Sequence, residues 1–446
     1  MERKNEKVGK AEKVGKVKVA LGLSGGVDSA VSAHLLQKQG FDVNCVYLNC
    51  YDGDTPGCRG DNDRKDALAV AMHLGLPFQA LDFRQAYQTA VIDYFKKEYL
   101  AGRTPNPDVV CNRDIKFGLF LDWAIKAGFD YIATGHYAGV ADFSYRKIAA
   151  TPASAEKRAT SRERIVREVG EWQAKADAIL LRIPADLHKD QTYFLWAVSR
   201  EKFKKVLFPL GDLLKTEVRE IALKIGLPVA KKKDSTGICF VGEVRVEEFL
   251  KRLGVKEKEG EVVIQPQKVG PFVAIGSHRG VWFYTIGQRH GWEMTNDKYI
   301  QMTNGRKDRP AFYVIEKDIK KNRLVVGFGA DCYRDSFEVS ECNWLIDDKN
   351  ISNLTKKARP FPKRPGLGRP IKCFVRLRHG GELIPCSVKM IGDHSLKIEN
   401  CPVKQGPALQ DKMKISLSEA QRGIAPGQSA VFYAKDGSVL GGGVIQ

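Results

Sequence analysis

The sequence predicts an α/β protein: a parallel-sheet domain first, a small central domain next, and a β-barrel at the C-terminal end. Three observations predict it. An apolar strand turns into a helix at two adjacent glycines near the N-terminus, strand-like and helix-like segments alternate over the first third, and short β-rich runs fill the chain from about Phe312 onward. Alternation of this kind builds a parallel sheet wrapped by helices, whereas serial short strands divided by Gly, Pro and Asn turns close into barrels.

Lys16–Leu23 alternates Val17, Val19, Leu21 and Leu23 with small or charged residues, and Val27, Val31 and Leu35 then recur at helical spacing. Between them lies Ser24-Gly25-Gly26-Val27-Asp28-Ser29. The glycines let the backbone approach an anion, successive N–H groups point into the turn, and the helix dipole adds positive charge, which suits a nucleotide's phosphates. Ser24 and Ser29 supply hydroxyls, and Asp28 is expected to orient the loop or help hold magnesium. The hexapeptide lacks the lysine of the Gly-x-x-x-x-Gly-Lys-Ser/Thr loop and the third glycine of the dinucleotide fingerprint.

Phe41–Leu48, Pro77–Asp82 and Tyr131–Thr134 read as further strands, with helices over Asp63–Leu74, Ala86–Leu100 and Asn112–Lys126. Ligands of such sheets bind beyond the carboxyl ends of the strands, where Ser24 and Gly135 both fall. Tyr145–Leu187 turns Ala, Arg and Glu rich, with Ile165, Val169, Trp172, Ala176 and Ile179 spaced as one face of an inserted helix near 146–187. Lys204–Leu253 is again helical in pattern. The expected division is 1–204 with 229–245 as the catalytic domain, 205–228 with 246–315 as the central domain, and 316–446 as the barrel.

The 446 residues suit about three domains. Lys and Arg number 72 against 53 Asp and Glu, a net charge of +19, so a polyanion such as nucleic acid is the natural partner. Ten cysteines without a Cys-x-x-Cys spacing read as reduced cytoplasmic thiols, weakening a structural zinc reading. The first sixteen residues repeat Glu-Lys-Val-Gly-Lys and carry no apolar stretch, which argues against a signal or transit peptide. No apolar run approaches membrane-spanning length.

Two cysteines stand in informative surroundings. In Thr104-Pro-Asn-Pro-Asp-Val-Val-Cys-Asn112, two prolines stiffen a loop that delivers Cys111 to a helix expected to be capped by Asn112, where the dipole would favour thiolate. Asp108, three residues upstream, is a candidate local acid or base. In Asp234-Ser-Thr-Gly-Ile-Cys-Phe240, Cys239 follows Lys231, Lys232 and Lys233, which can lower a thiol pKa or meet phosphates. Taken singly, each cysteine reads better as a buried structural thiol than as a reactive one.

The hexapeptide resembles the PP-loop of the ATP pyrophosphatases, whose sheets are Rossmann-like. With Pro105–Asn112, Thr134-Gly-His-Tyr137, Lys189-Asp-Gln191, Lys232–Phe240, Tyr284-Thr-Ile-Gly-Gln-Arg289 and Gly427-Gln-Ser-Ala-Val-Phe-Tyr433 in that order, the chain resembles the tRNA-specific 2-thiouridylases along nearly its whole length. The resemblance implies ATP-dependent 2-thiolation of the wobble uridine of tRNA, with adenylation of the carbon-2 oxygen and then sulfur transfer. It implies that Cys239 carries a persulfide from a sulfur-donor protein, that Cys111 is its partner thiol, able to pair with it in a disulfide or to liberate sulfide, and that Asp108 shuttles protons. ATP and Mg2+ would lie on Gly22, Leu23, Ser24, Gly25, Gly26, Val27, Asp28, Ser29, Leu48 and Gly135. Asn106, Pro107 and Asp108 would meet a flipped base; Lys189, Asp190, Gln191, Arg378 and His379 would contact tRNA, beside a Lys356–Arg378 stretch holding nine basic residues. His136 receives no role.

The chain departs from the family pattern in a longer Tyr145–Leu187, an expanded Gly291–Arg309, and Leu48 where methionine is common. Competing readings are a synthetase adenylating another acceptor, a tRNA-binding protein without turnover, and an iron–sulfur cluster on Asp108, Cys111 and Cys239. The last is less favoured because one donor is a carboxylate.

Overall fold

The computed structural model describes residues 16–51, 60–140, 181–234, 245–265, 270–295, 311–345, 370–391 and 412–446. The insertion helix, Cys239 and most of the Lys356–Arg378 stretch lie outside these residues.

The first sheet is parallel. β1 (Lys18–Gly22) pairs with β2 (Asp42–Asn49) on one side and β4 (Tyr131–Ala133) on the other; β3 (Phe78–Asp82) flanks β2, and Val206–Leu207 flanks β4. Val19, Ala20 and Leu21 are fully buried, as a central strand covered on both faces requires. Because the chain leaves β1 for β2 on one side and later reaches β4 on the other, a crevice opens beyond Gly22. Helix α1 (Val27–Lys38) begins there and buries Val27, Ala30, Val31, Ala33 and Leu36.

Residues 205–228, expected in the central domain, belong here instead. Val206–Leu207 extends the sheet in register with Ile132 and Ala133, and helix Lys215–Lys224 packs on α1 with Val218 and Ala222 buried. A two-residue strand is too short to show a period, which is why the pattern read only as helix.

The second sheet runs Glu293–Met294, Val273–His278, Gly260–Ile264, Arg323–Gly327 and Tyr313–Asp318 in spatial order. Its core gathers Val262, Ile275, Val281, Tyr284, Val314, Leu324 and Val326. The run from Arg323 was expected in the barrel, but Arg323–Gly327 lies parallel to Gly260–Ile264 and belongs to this sheet. Apolar alternation marks a strand without naming its partner.

The closed barrel starts at Tyr333. Its six strands are Tyr333–Trp344, Lys412–Arg422, Ile384–Ile391, Ile371–Arg376, Ser429–Tyr433 and Val439–Ile445, in that order round the wall. Val375, Val388, Met413, Ile415 and Phe432 fill it. The barrel seats on the first domain at Gly442, where any Cβ would come within 2.7 Å of the Trp196 ring. Asn343 secures the seat by donating Nδ2–H bonds to the carbonyls of Trp196 (2.6 Å) and Val198 (3.0 Å).

Candidate active site

The nucleotide loop is prepared by its own hydroxyls. Ser29 Oγ accepts from the Ser24 N–H (3.1 Å), donates to the Gly26 carbonyl (3.1 Å) and lies 3.1 Å from Ser24 Oγ. Gly26 is the extended N-cap of α1 and has no side chain to satisfy the first-turn N–H groups, leaving them for an anion. Gly25 needs its φ of +75°, and a Cβ there would lie 2.2 Å from the Asp63 carbonyl oxygen. Gly135 touches the same turn from β4: a Cβ would sit 2.7 Å from the Ser29 nitrogen. Leu23 and Leu48 are buried beneath the loop, the Leu23 N–H bonding to the Val46 carbonyl at 2.8 Å.

Ion pairs surround this loop. Asp28 Oδ1 accepts from Tyr137 Oη (3.0 Å) and Lys215 Nζ (2.6 Å), which ties the start of α1 to both elements. Lys215 also reaches Asp234 (2.9 Å), which Lys189 (2.7 Å) and Arg219 bind as well. Burial pushes the Asp234 carboxyl upward, but bonds from Lys189 and Lys215 outweigh it and hold the group well below the usual carboxylate range. Lys232 bonds the Gly25 carbonyl (3.0 Å), Asp63 and Asp66 (2.6 Å each). Lys189, Lys215, Arg219 and Lys232 thus stand paired with carboxylates round the double-glycine turn. Lys215 and Arg219 were missed in the sequence because Lys215 meets Asp28 from 187 positions further along the chain.

The thiol helix starts earlier than expected. Asn106 caps it, its Oδ1 accepting from the Val109 N–H (3.4 Å), with Pro107 in the first turn. Asn112 points inward instead and donates to the Phe194 carbonyl at 3.0 Å. Cys111 therefore sits a full turn inside the helix and is buried, at 1% exposure. The helix dipole is strongest in the first turn, and Cys111 lies just beyond it. Asp108, in the first turn and three residues before Cys111, shares its face of the helix.

Both the barrel and the second-sheet unit hold the loop that leads to this helix. The Thr104 N–H bonds to the Pro426 carbonyl (2.7 Å), and Gln428 Nε2 donates to the carbonyls of Thr104 (2.9 Å) and Pro105 (3.4 Å), both from the barrel. From the second sheet side, Thr285 meets the Thr104 hydroxyl at 3.3 Å. Lys317 fixes that neighbour by donating to the Tyr284 carbonyl at 2.7 Å, and burial lowers its pKa to about 8.

The remaining expected contacts divide. Lys189 is partly exposed beside Asp234. Asp190 is buried, pairs with the buried Arg376 and accepts from Thr192 Oγ1 (2.6 Å) and its N–H (2.9 Å), so it clamps the barrel instead of presenting a surface. Gln191 Oε1 accepts from the Tyr137 N–H at 2.9 Å and ties that clamp to the nucleotide loop. Arg378 and His379 are exposed on the turn after Ile371–Arg376; the His379 ring stacks on Phe194 (4.6 Å) and meets the Asp190 carbonyl at 3.0 Å. His136 is buried, with Thr134 Oγ1 at 2.8 Å and Lys116 Nζ at 3.4 Å, and burial, then Lys116, holds its pKa well below the ordinary value.

Residues 17–243 match the family model described as tRNA methyl transferase HUP domain, 247–328 the tRNA methyl transferase PRC-barrel domain and 399–445 the Aminomethyltransferase beta-barrel domain. A tRNA-specific 2-thiouridylase MnmA of Streptococcus mutans serotype c is 38% identical over 432 residues, covering 96% of this chain and 95% of the relative. The protein of the same name from Actinobacillus succinogenes is 37% identical over 441 residues, 97% and 92% of the two chains. Among solved structures, the U34-tRNA thiolase NcsA from Methanococcus maripaludis with its 4Fe-4S cluster is similar at 19% identity and a TM-score of 0.29, over 53% of this chain and 64% of that one. A family model over residues 17–243 and relatives 37–38% identical along nearly the whole chain agree: the chain belongs to the tRNA-specific 2-thiouridylase family.

Proposed function

We propose that this chain uses ATP to turn the carbon-2 oxygen of the wobble uridine of tRNA into a leaving group and replaces it with sulfur. The observation that carries the reading is the open, double-glycine start of α1 held at the same sheet end as Gly135, in a chain of this family. The uracil oxygen attacks the α-phosphorus of ATP and pyrophosphate leaves. The α1 N–H groups, with Lys215 and Lys189 close by, stabilise charge on the departing phosphates. Asp28 is the loop carboxylate that would help hold magnesium entering with ATP, and the ion would neutralise charge on the phosphate oxygens.

Carbon 2 then carries adenylate. The terminal sulfur of a persulfide on Cys239 attacks it and AMP departs with the former carbonyl oxygen. Cys111 thiolate attacks the Cys239 sulfur, releasing the 2-thiouridine and leaving a Cys111–Cys239 disulfide; alternatively, Cys111 frees hydrosulfide that does the attacking. Asp108, one turn before Cys111, takes up and returns protons. Asn106, Pro107 and Asp108 meet the extruded base, and Lys189, Arg378 and His379 face the tRNA backbone, while Asp190 and Gln191 hold that surface in place. The sulfur donor is a persulfide-bearing protein and the setting a reducing cytoplasm. Among the described residues no helix is long and apolar enough to cross a membrane.

Methyl transfer, the activity in the names of the matched family models, needs neither an ATP loop nor two thiols. Mass spectrometry of nucleosides from unmodified tRNA incubated with the protein, ATP, magnesium and a persulfide donor separates the readings. Sulfur in place of oxygen on uridine supports the proposal; pyrophosphate release without thiolated uridine moves the adenylation to another acceptor.

A further inference from the structure

A second pair of sulfurs lies in the barrel, far along the chain from Cys111. Cys373 on strand Ile371–Arg376 stands directly opposite Cys386 on Ile384–Ile391, and their Sγ atoms are 3.5 Å apart. Opposed residues on antiparallel strands have Cα atoms about 4.5 to 5.5 Å apart, inside the window a disulfide accepts. Both side chains are 8% exposed, yet both line a cavity of about 540 Å³. Lys372 and Lys435 stand at its exposed margin, and Ser387, Ser416 and Ser418 add hydroxyls.

We propose that Cys373 and Cys386 form a dithiol site that an anionic low-molecular-weight disulfide oxidises to an intrachain disulfide. The two lysines favour an anionic reagent, and the cavity admits one to sulfurs that the barrel core otherwise covers. Cys386 thiolate attacks one sulfur of the reagent and expels the first thiol. Cys373, deprotonated, then attacks the Cys386 sulfur of the mixed disulfide and expels the second. Two protein thiols are oxidised, one external disulfide is reduced to two thiols, and no other reactant is required. The hydrogen bond with Cys386 and burial push the Cys373 thiol upward, so Cys373 attacks second, when its target sulfur is already held beside it.

The cross-link closes residues 374–385 into a loop that carries Arg378 and His379, so it staples that turn to the barrel wall. The site stands whether or not the chain thiolates tRNA.

Oxidised glutathione, applied to the folded full-length protein, tests it. After alkylation and trypsin, cleavage beside Lys372, Arg376, Arg378 and Lys389 yields Cys373–Arg376 and His379–Lys389. The expected result is one peptide joining the two, lost on reduction by dithiothreitol, together with a higher melting temperature for the oxidised protein. In Cys386→Ser the joined peptide disappears and Cys373 is recovered alkylated. A stable glutathione adduct on either cysteine without the joined peptide, or recovery of both as alkylated thiols from wild type, overturns the proposal.

Discussion

Replacing Gly135 by alanine drives a methyl group into the backbone of the nucleotide loop. Its Cβ would lie 2.7 Å from the Ser29 nitrogen and 2.9 Å from the Asp28 carbonyl carbon, where ordinary contact begins at 3.4 Å. Something must retreat by about 0.7 Å, and neither side yields easily. Ser29 is bonded to both Ser24 and Gly26, and Gly135 follows a strand locked between β1 and Val206–Leu207. Misplacing reacting groups by about an ångström costs on the order of 10²-fold in rate, or about 2.7 kcal/mol of barrier. Pyrophosphate release, measured with ATP and unmodified tRNA, should fall by that factor in Gly135→Ala. Gly254→Ala, which puts a Cβ at a φ of +80° into open space, supplies the control for general strain. A Gly135→Ala protein within about threefold of wild type, with its melting temperature unchanged, would refute the placement of ATP at this turn.

Breaking the buried Asp190–Arg376 pair with Asp190→Ala should cost about 3 to 5 kcal/mol, because Arg376 is left buried and uncompensated; Asp190→Leu with Arg376→Met should recover much of it, read from denaturant midpoints. Lys215→Met removes the cation shared by Asp28 and Asp234 and should raise the KM for ATP about tenfold, with the tRNA KM unmoved as the check. The folded state keeps His136 neutral whereas the unfolded chain protonates it near 6.5, so the unfolded state binds more protons and stability falls as pH drops below 6.5. His136→Gln should flatten that acid limb in melting temperatures taken across the range.

The strand, the glycine turn and α1 were legible because local chemistry alone dictates them: apolar alternation, then two residues without Cβ, then helical spacing. The helix start at Asn106 was legible too, since an asparagine followed by proline marks a cap, but Asn112 beside Cys111 drew the reading six residues too far. What sequence withheld was pairing at a distance. Nothing local tells that Lys215 answers Asp28, that Asp190 faces a buried arginine instead of solvent, or that Arg323–Gly327 completes the central sheet before the barrel begins. Such partners are selected by the closing of the fold, and only the chain in three dimensions brings them within bonding reach.

The most direct test of the account follows both half-reactions in one incubation of unmodified tRNA, ATP, magnesium and a persulfide donor, with wild type, Cys239→Ser and Cys111→Ser side by side. The account predicts 2-thiolated uridine from wild type alone, with pyrophosphate still released by both variants, because adenylation precedes any need for a thiol. Thiolated uridine from Cys239→Ser, or loss of pyrophosphate release together with thiolation in both variants, would contradict the division of labour between the glycine loop and the two sulfurs.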